Sequence, residues 1–135
     1  MNQKTMSNSN LLFDTNAAIA LINGDQQIIR KFPQVFGAAI SVVVLAELLY
    51  GAEKSTRRAQ NLAMVESFAN TLRIIPCGYG TARICASVRN LLRLAGKPVP
   101  ANDLWIAASA IEHRMALVTR DRHFKQIDGL QVVDW

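Results

Sequence analysis

Short apolar segments alternate with helical patterns along nearly the whole chain. We predict five short strands, at residues 10–14, 37–41, 72–76, 115–119 and 130–133. Uninterrupted apolar strands of this kind are typical of a sheet that is buried on both faces, and alternation with helices favours parallel pairing. The pattern therefore predicts an α/β domain with a mostly parallel sheet between two layers of helices.

Six helices are predicted between these strands, at residues 17–22, 26–32, 42–50, 59–70, 81–95 and 102–114. Gly51 is a candidate C-cap for the third of them. Residues 78–80 are predicted to form a turn, so that Thr81 opens the longest helix. The apolar stripe expected along that helix consists of Ile84, Val88, Leu91, Leu92 and Ala95.

The composition favours one domain at residues 10–135, preceded by a flexible polar tail at residues 1–9. No apolar run reaches the roughly 18 residues of a membrane span, and the N-terminal residues lack the apolar core of a signal peptide. We therefore expect a cytoplasmic protein without membrane association. Cys77 and Cys85 are eight residues apart, which matches neither a zinc-binding nor a redox motif.

Four of the ten acidic residues stand out by position: Asp14, Glu47, Asp103 and Asp121. Asp14 ends one predicted strand and Asp121 comes just after another, and ligands of open α/β sheets bind at the carboxyl ends of the strands. Each residue also has an ordinary structural explanation. Asp14 and Asp103 are well placed to cap helices, Asp121 to form a surface turn, and Glu47 to pair with an arginine.

Gathered in one place, four carboxylates would repel one another strongly unless a cation balanced them. Mg²⁺ is the natural candidate because it takes oxygen ligands. The chain carries a net charge of +5, and gathering four acids in one site leaves the rest of its surface more basic still. A basic surface around a magnesium site indicates a polyanionic partner such as RNA.

The ordered set of motifs resembles the PIN-domain ribonucleases, most closely the VapC-type toxins of bacterial type II toxin–antitoxin pairs. It consists of LLFDTN at 11–16, SVVVLAELLYGAE at 41–53, PVPANDLWIAASA at 98–110 and LVTRDRHF at 117–124. The resemblance covers nearly the whole chain. It implies a single three-layer domain with a five-stranded parallel sheet, and RNA cleavage that depends on Mg²⁺ or Mn²⁺.

The resemblance also assigns roles to individual residues. It implies that Asp14 and Asp103 are the principal metal ligands and that Glu47 and Asp121 complete the acidic catalytic pocket. Polar residues that support the pocket, or only cap helices, are Thr15, Asn16, Asn102 and Thr119. Basic residues that would position the RNA backbone, unless they are ordinary surface charges, are Lys97, Arg120, Arg122 and Lys125.

Two features depart from the family pattern. Residues 77–80 lack an acid that many relatives carry before the long helix, and the segment before Asp14 is longer than usual. The first departure would remove an auxiliary carboxylate but leaves the main four.

The expected partners follow from the resemblance. They are a VapB-type antitoxin that inserts a segment into the acidic pocket, and a second copy of the chain, joined through helices around Glu47 or residues 59–70. Two other functions remain open from the sequence: a phosphotransfer or phosphatase-type domain, and a non-catalytic PIN-like scaffold. Asn16 counts against a phosphatase of the haloacid-dehalogenase type, which would carry an aspartate two residues after Asp14.

Overall fold

A computed structural model describes residues 10–35 and 37–135, so the predicted tail at residues 1–9 lies outside the described residues. The strands are β1 (Leu11–Phe13), β2 (Ala39–Ser41), β3 (Arg73–Ile75), β4 (Ala116–Val118) and β5 (Val132–Val133). They form one sheet in the order β3-β2-β1-β4-β5, and every neighbouring pair is parallel. The predicted five-stranded parallel sheet is confirmed.

The helices are α1 (Thr15–Ile22), α2 (Gln26–Lys31), α3 (Val42–Glu53), α4 (Arg58–Ala69), α5 (Tyr79–Leu94) and α6 (Ala101–Glu112). A short 3₁₀ helix, Arg122–Gln126, follows β4 and was not predicted. Among the described residues, no helix is both long and apolar enough to cross a membrane.

The centre of the sheet is buried on both faces. Every residue of β1, β2 and β4 is buried, which requires helices above and below the sheet. Helix α3 packs against α4, and α5 packs against α6. The outer strands β3 and β5 are only partly buried. The result is the predicted three-layer α/β/α arrangement, with β1 at its centre.

The prediction that Gly51 ends its helix is wrong. Helix α3 continues through Gly51 to Glu53, and Lys54 is the C-cap residue. Glycine inside a helix costs roughly 0.5–1 kcal/mol relative to alanine. The extra turn offsets this cost because it places Ala52 in the core.

The predicted turn at residues 78–80 is also wrong, because α5 begins at Tyr79 with Gly78 as its N-cap. Thr81 lies in the first turn of α5 and is completely buried. Its hydroxyl accepts the Gly78 N–H at 3.0 Å and donates to Glu112 Oε1 of α6 at 2.5 Å. A threonine can therefore hold the start of the helix and join it to its neighbour.

The apolar stripe predicted for α5 is rotated in the structure. Its buried residues are Thr81, Cys85, Val88 and Leu92. Leu91 is 62% exposed and Ala95 is also exposed. Thr81 belongs to the buried face because its hydroxyl is fully hydrogen-bonded, and an apolar pattern does not include such a residue.

We predict that Thr81→Ala lowers the free energy of unfolding by about 1–3 kcal/mol, because Glu112 and the Gly78 N–H both lose a buried partner. Urea-induced unfolding would measure the difference. Ser87→Ala, at an exposed position of the same helix, is the matched control and should change stability by less than about 0.5 kcal/mol. Equal effects of the two substitutions would contradict this account of α5.

Candidate active site

Asp14 lies at the carboxyl end of the central strand. Its backbone N–H donates to the Val118 carbonyl at 3.1 Å, which continues the β1–β4 pairing by one residue. Its side chain caps α1 by accepting the Ala17 N–H on Oδ1 at 2.8 Å. The carboxylate is almost completely buried, at 4% exposure. The expectation that Asp14 caps a helix is correct, and the cap points this carboxylate at the sheet edge.

Thr119 joins the carboxylate of Asp14 to the backbone of Asp121. Its hydroxyl donates to Asp14 Oδ2 and accepts the Asp121 N–H at 3.0 Å. Asp14 follows β1 and Thr119 follows β4, and the last residues of these two strands, Phe13 and Val118, are paired. The parallel register therefore places Asp14 beside the segment that carries Asp121.

Glu47 reaches the same region from α3. Thr15 donates its hydroxyl to Glu47 Oε1, and the Asn102 side-chain amide donates to Oε2 at 3.1 Å. These donors belong to α1 and α6, so Glu47 connects three helices at the mouth of the site. The alternative of an arginine partner is not seen: in the part of the chain that the structure describes, no ion pair involves Glu47.

Asp103 lies in the first turn of α6, where a negative charge is stabilised by the helix dipole. It is not the cap residue, since Pro100 holds that position. One oxygen of Asp103, one oxygen of Asp121 and one ring nitrogen of His123 all lie within 4.8 Å of one another. Asp103 and Asp121 are therefore close neighbours at the site.

His123 is the residue that the sequence interpretation missed. The sequence alone assigns it no role, and its side chain is 52% exposed. Asp121 caps the 3₁₀ helix by accepting the His123 N–H at 2.9 Å, and this brings the imidazole next to the carboxylates. The sequence carries one signal for this proximity, because Asp121 and His123 are two residues apart just after a predicted strand. The two side chains come together only if a 3₁₀ turn follows the strand, and the apolar pattern does not reveal that turn.

The remaining predicted residues are divided between the site and the surface. Thr15, Asn102 and Thr119 bind the carboxylates directly, whereas the exposed Asn16 makes no hydrogen bond to them among the described residues. Arg120 stacks over the Trp135 ring at 3.5 Å and donates to the Trp135 carbonyl at 2.7 Å. The three other predicted basic residues are exposed: Lys97, Arg122 and Lys125.

The electrostatics of the site oppose ionisation. Burial, followed by repulsion from Asp121 and Glu47, raises the pKa of Asp103 to about 6. Burial also raises the pKa of Asp14, with smaller contributions from Asp121 and Glu47, although the hydrogen bond from Thr119 acts in the opposite direction. Carboxylates with raised pKa values bind protons in the absence of another cation.

The donor set fits a divalent cation. It consists of four carboxylates around one region, and no lysine or arginine of the described residues forms an ion pair with any of them. Hard cations such as Mg²⁺ and Mn²⁺ prefer such oxygen ligands. A cation would offset the mutual repulsion that, after burial, contributes to the raised pKa of Asp103.

Comparisons with known proteins agree with this geometry. A family model described as PIN domain matches residues 11–130. The tRNA(fMet)-specific endonuclease VapC of Salmonella typhimurium is 34% identical over 127 residues, covering 92% of this chain and 96% of that protein. Ribonuclease VapC5 of Mycobacterium tuberculosis is 36% identical over 126 residues, covering 91% of each chain. A crystal structure of DNA-bound VapBC from Salmonella typhimurium superposes with a TM-score of 0.88 and 34% identity, covering 93% of this chain and 98% of that one.

We predict that Asp103→Asn stabilises the metal-free protein at pH 7–8. The raised pKa means that folding costs free energy when Asp103 is ionised; this cost develops as the pH rises from about 4 to about 6 and is complete above it. Removing the charge should gain on the order of 1 kcal/mol for this partly exposed group at pH 7–8, and nothing at pH 4.

Thermal unfolding in EDTA at both pH values would measure the effect. Asp128→Asn is the control, because Asp128 is exposed and its carboxylate does not belong to the four. Destabilisation by Asp103→Asn at pH 7–8, or the same gain from both variants, would contradict the proposed repulsion.

A second prediction concerns pH and metal affinity. A cation that binds through Asp103 has to displace its proton, so Mn²⁺ affinity at such a site should be constant above pH 7 and fall by up to about tenfold per pH unit below pH 6. Calorimetric titrations between pH 5 and pH 8 would measure this dependence. A pH-independent affinity over this range would contradict it.

Proposed function

Because the chain belongs to the PIN-domain family and VapC ribonucleases are among its relatives, we propose that it is a metal-dependent endoribonuclease and the toxin of a toxin–antitoxin pair. The observation that carries the proposal is the gathering of Asp14, Glu47, Asp103 and Asp121 at one edge of the sheet without a lysine or arginine partner among the described residues. Such an arrangement suits a divalent cation and an RNA phosphate.

The position of each site residue indicates its proposed role in metal binding. Asp14 and Asp103 would hold Mg²⁺ or Mn²⁺, and Asp121, a close neighbour of Asp103, would complete the acidic ring. When bound, the cation supplies a Lewis acid that offsets charge on the scissile phosphate and activates a water molecule for hydrolysis.

The chain's polar residues keep the carboxylates in place for this chemistry. Thr119 and the Ala17 N–H hold both oxygens of Asp14, so this carboxylate cannot rotate away from the site. Thr15 and Asn102 hold Glu47 in the same way, leaving its remaining lone pairs to accept hydrogen bonds from water. Fixed acceptors of this kind lower the reorganisation that hydrolysis requires.

RNA would approach over the basic surface around the site. Lys97, Arg122 and Lys125 are exposed and can contact phosphates, which fixes the position of the backbone but not its sequence. Arg120 is already held by Trp135 and by Gln27 at 2.8 Å. We assign it mainly to supporting the C-terminal residues, with any contact to RNA made from this fixed position.

The phosphotransfer alternative is not favoured, because the curated relatives are named as ribonucleases. The scaffold alternative would leave four costly carboxylates without a role. Two of the relatives are named as specific for tRNA(fMet), so this initiator tRNA is the first substrate to test.

We predict that the purified chain cleaves a panel of total RNA and tRNA at few sites with Mg²⁺ or Mn²⁺ and not with EDTA. Asp14→Asn and Asp103→Asn should each lower the cleavage rate at least about a hundredfold, since each removes a proposed metal ligand. Asp128→Asn should retain the wild-type rate. Full activity of Asp14→Asn, or cleavage in EDTA, would contradict the mechanism.

An antitoxin would bind beside the acidic pocket. A cavity of about 260 Å³ between α1, α3 and α4 is lined mainly by apolar side chains and reaches Glu47. The resemblance implies that a segment of the antitoxin enters the acidic pocket. We propose that an apolar part of this segment fills the cavity while an arginine extends to the carboxylates. Structures of related proteins are VapBC complexes, which supports an antitoxin partner. A homodimer through α3 or α4 is proposed on the resemblance alone.

Met64 lies in this cavity and is 42% exposed. We predict that Met64→Glu weakens binding of the protein encoded by the neighbouring reading frame at least tenfold and leaves RNA cleavage intact. Leu94→Glu, on an exposed part of α5 outside the cavity, is the control. Equal affinity of Met64→Glu and wild type in a binding assay would show that the antitoxin binds to another surface.

A further inference from the structure

We propose that His123 is a ligand of the active-site cation, and that its imidazole makes the site select Mn²⁺ over Mg²⁺. The inference rests on the metal-dependent function proposed above and extends it to a residue outside the four carboxylates.

Three candidate ligand atoms lie close enough together to surround one ion after small side-chain adjustments. One ring nitrogen of His123 and one oxygen from each of Asp103 and Asp121 lie within 4.8 Å of one another. An octahedral ion with bonds of about 2.1 Å has neighbouring ligand atoms about 3 Å apart and opposite ones about 4.2 Å apart. His123 Nδ1 lies 3.0 Å from Asp121 Oδ1, which is the separation of two neighbouring ligands. The separations to the Asp103 oxygen are at most 4.8 Å, so side-chain shifts of a few tenths of an ångström would bring all three atoms around one cation.

The local fold holds the imidazole in this position. Asp121 caps the 3₁₀ helix through the His123 N–H, so the backbone of one ligand is fixed by the carboxylate of the other. The next residue, Phe124, is 1% exposed and anchors the helix in the core. His123 therefore remains beside Asp121 even though half of its side chain is exposed to solvent.

A simple ion pair between His123 and Asp121 explains the arrangement less completely. Ion pairs with this degree of exposure contribute at most about 1 kcal/mol to stability. Such a pair also gives no reason for the ring nitrogen to lie near Asp103, which belongs to a different helix.

The nitrogen ligand has a chemical consequence. Mg²⁺ prefers an all-oxygen environment and retains several waters. Mn²⁺ also takes oxygen ligands, but as a first-row transition metal it accepts an imidazole nitrogen more readily than Mg²⁺ does. An Asp–Asp–His set therefore binds Mn²⁺ more tightly than carboxylates alone would, with little benefit to Mg²⁺. Selection by ligand type would add to the general attraction of the acidic pocket.

Pulsed EPR of the Mn²⁺-loaded protein tests coordination directly, because a coordinated imidazole produces a ¹⁴N hyperfine coupling. Any histidine tag must be removed first. We expect this coupling in wild type, its loss in His123→Ala and His123→Gln, and its retention in His113→Ala. His113 is the matched control because it lies at the far end of α6, with Nδ1 3.0 Å from the Ser109 carbonyl.

Calorimetry of the same proteins tests the selectivity. His123→Ala should lower Mn²⁺ affinity about tenfold or more and change Mg²⁺ affinity less than about threefold. Mn²⁺ binding to wild type without nitrogen coupling, or an equal loss of affinity for both metals, would overturn the role of His123. Metal-dependent RNA cleavage by the same wild-type sample would then leave the proposed function intact. Absence of both metal binding and cleavage would overturn both proposals.

Discussion

The four carboxylates at the edge of the sheet repel one another, and burial strengthens that repulsion because it removes the water that would screen it. The effect is clearest at Asp103, where burial and the neighbouring charges raise the pKa to about 6. A divalent cation would convert this repulsion into binding energy, so the same residues that weaken the empty protein would stabilise the loaded one.

The parallel sheet makes this concentration of charge possible. Strands β1 and β4 are neighbours, so the residues that follow them, Asp14 and Thr119, lie side by side. Helices α3 and α6 then bring Glu47 and Asp103 to the same edge. Neutral donors from Thr15, Asn102 and Thr119 hold the carboxylates without neutralising them. A lysine or arginine in their place would stabilise the fold but would also compete with the metal.

The sequence was sufficient to predict the parallel sheet and the positions of Asp14 and Asp121, because apolar strands and the residues just after them are local patterns. Glu47 and Asp103 lie on helices, and the family resemblance assigned them to the same site. Gly51 was wrongly predicted to end a helix and Leu91 was wrongly predicted to be buried. In both cases the packing of the folded chain, and not the local sequence pattern, determines the result. Thr81 was missed as a core residue because its hydroxyl is satisfied by Glu112, which is 31 residues away. His123 was missed because its place depends on a 3₁₀ turn that Asp121 caps. Pairings between distant residues and irregular turns leave no periodic signal.

The central claim is that the carboxylates hold a divalent cation at the sheet edge, and anomalous diffraction from crystals grown with Mn²⁺ at pH 7.5 tests it most directly. The account predicts one strong peak about 2 Å from oxygens of at least two of the four carboxylates. A well-ordered site with no peak, or a peak bound only by residues outside this group, would contradict the account.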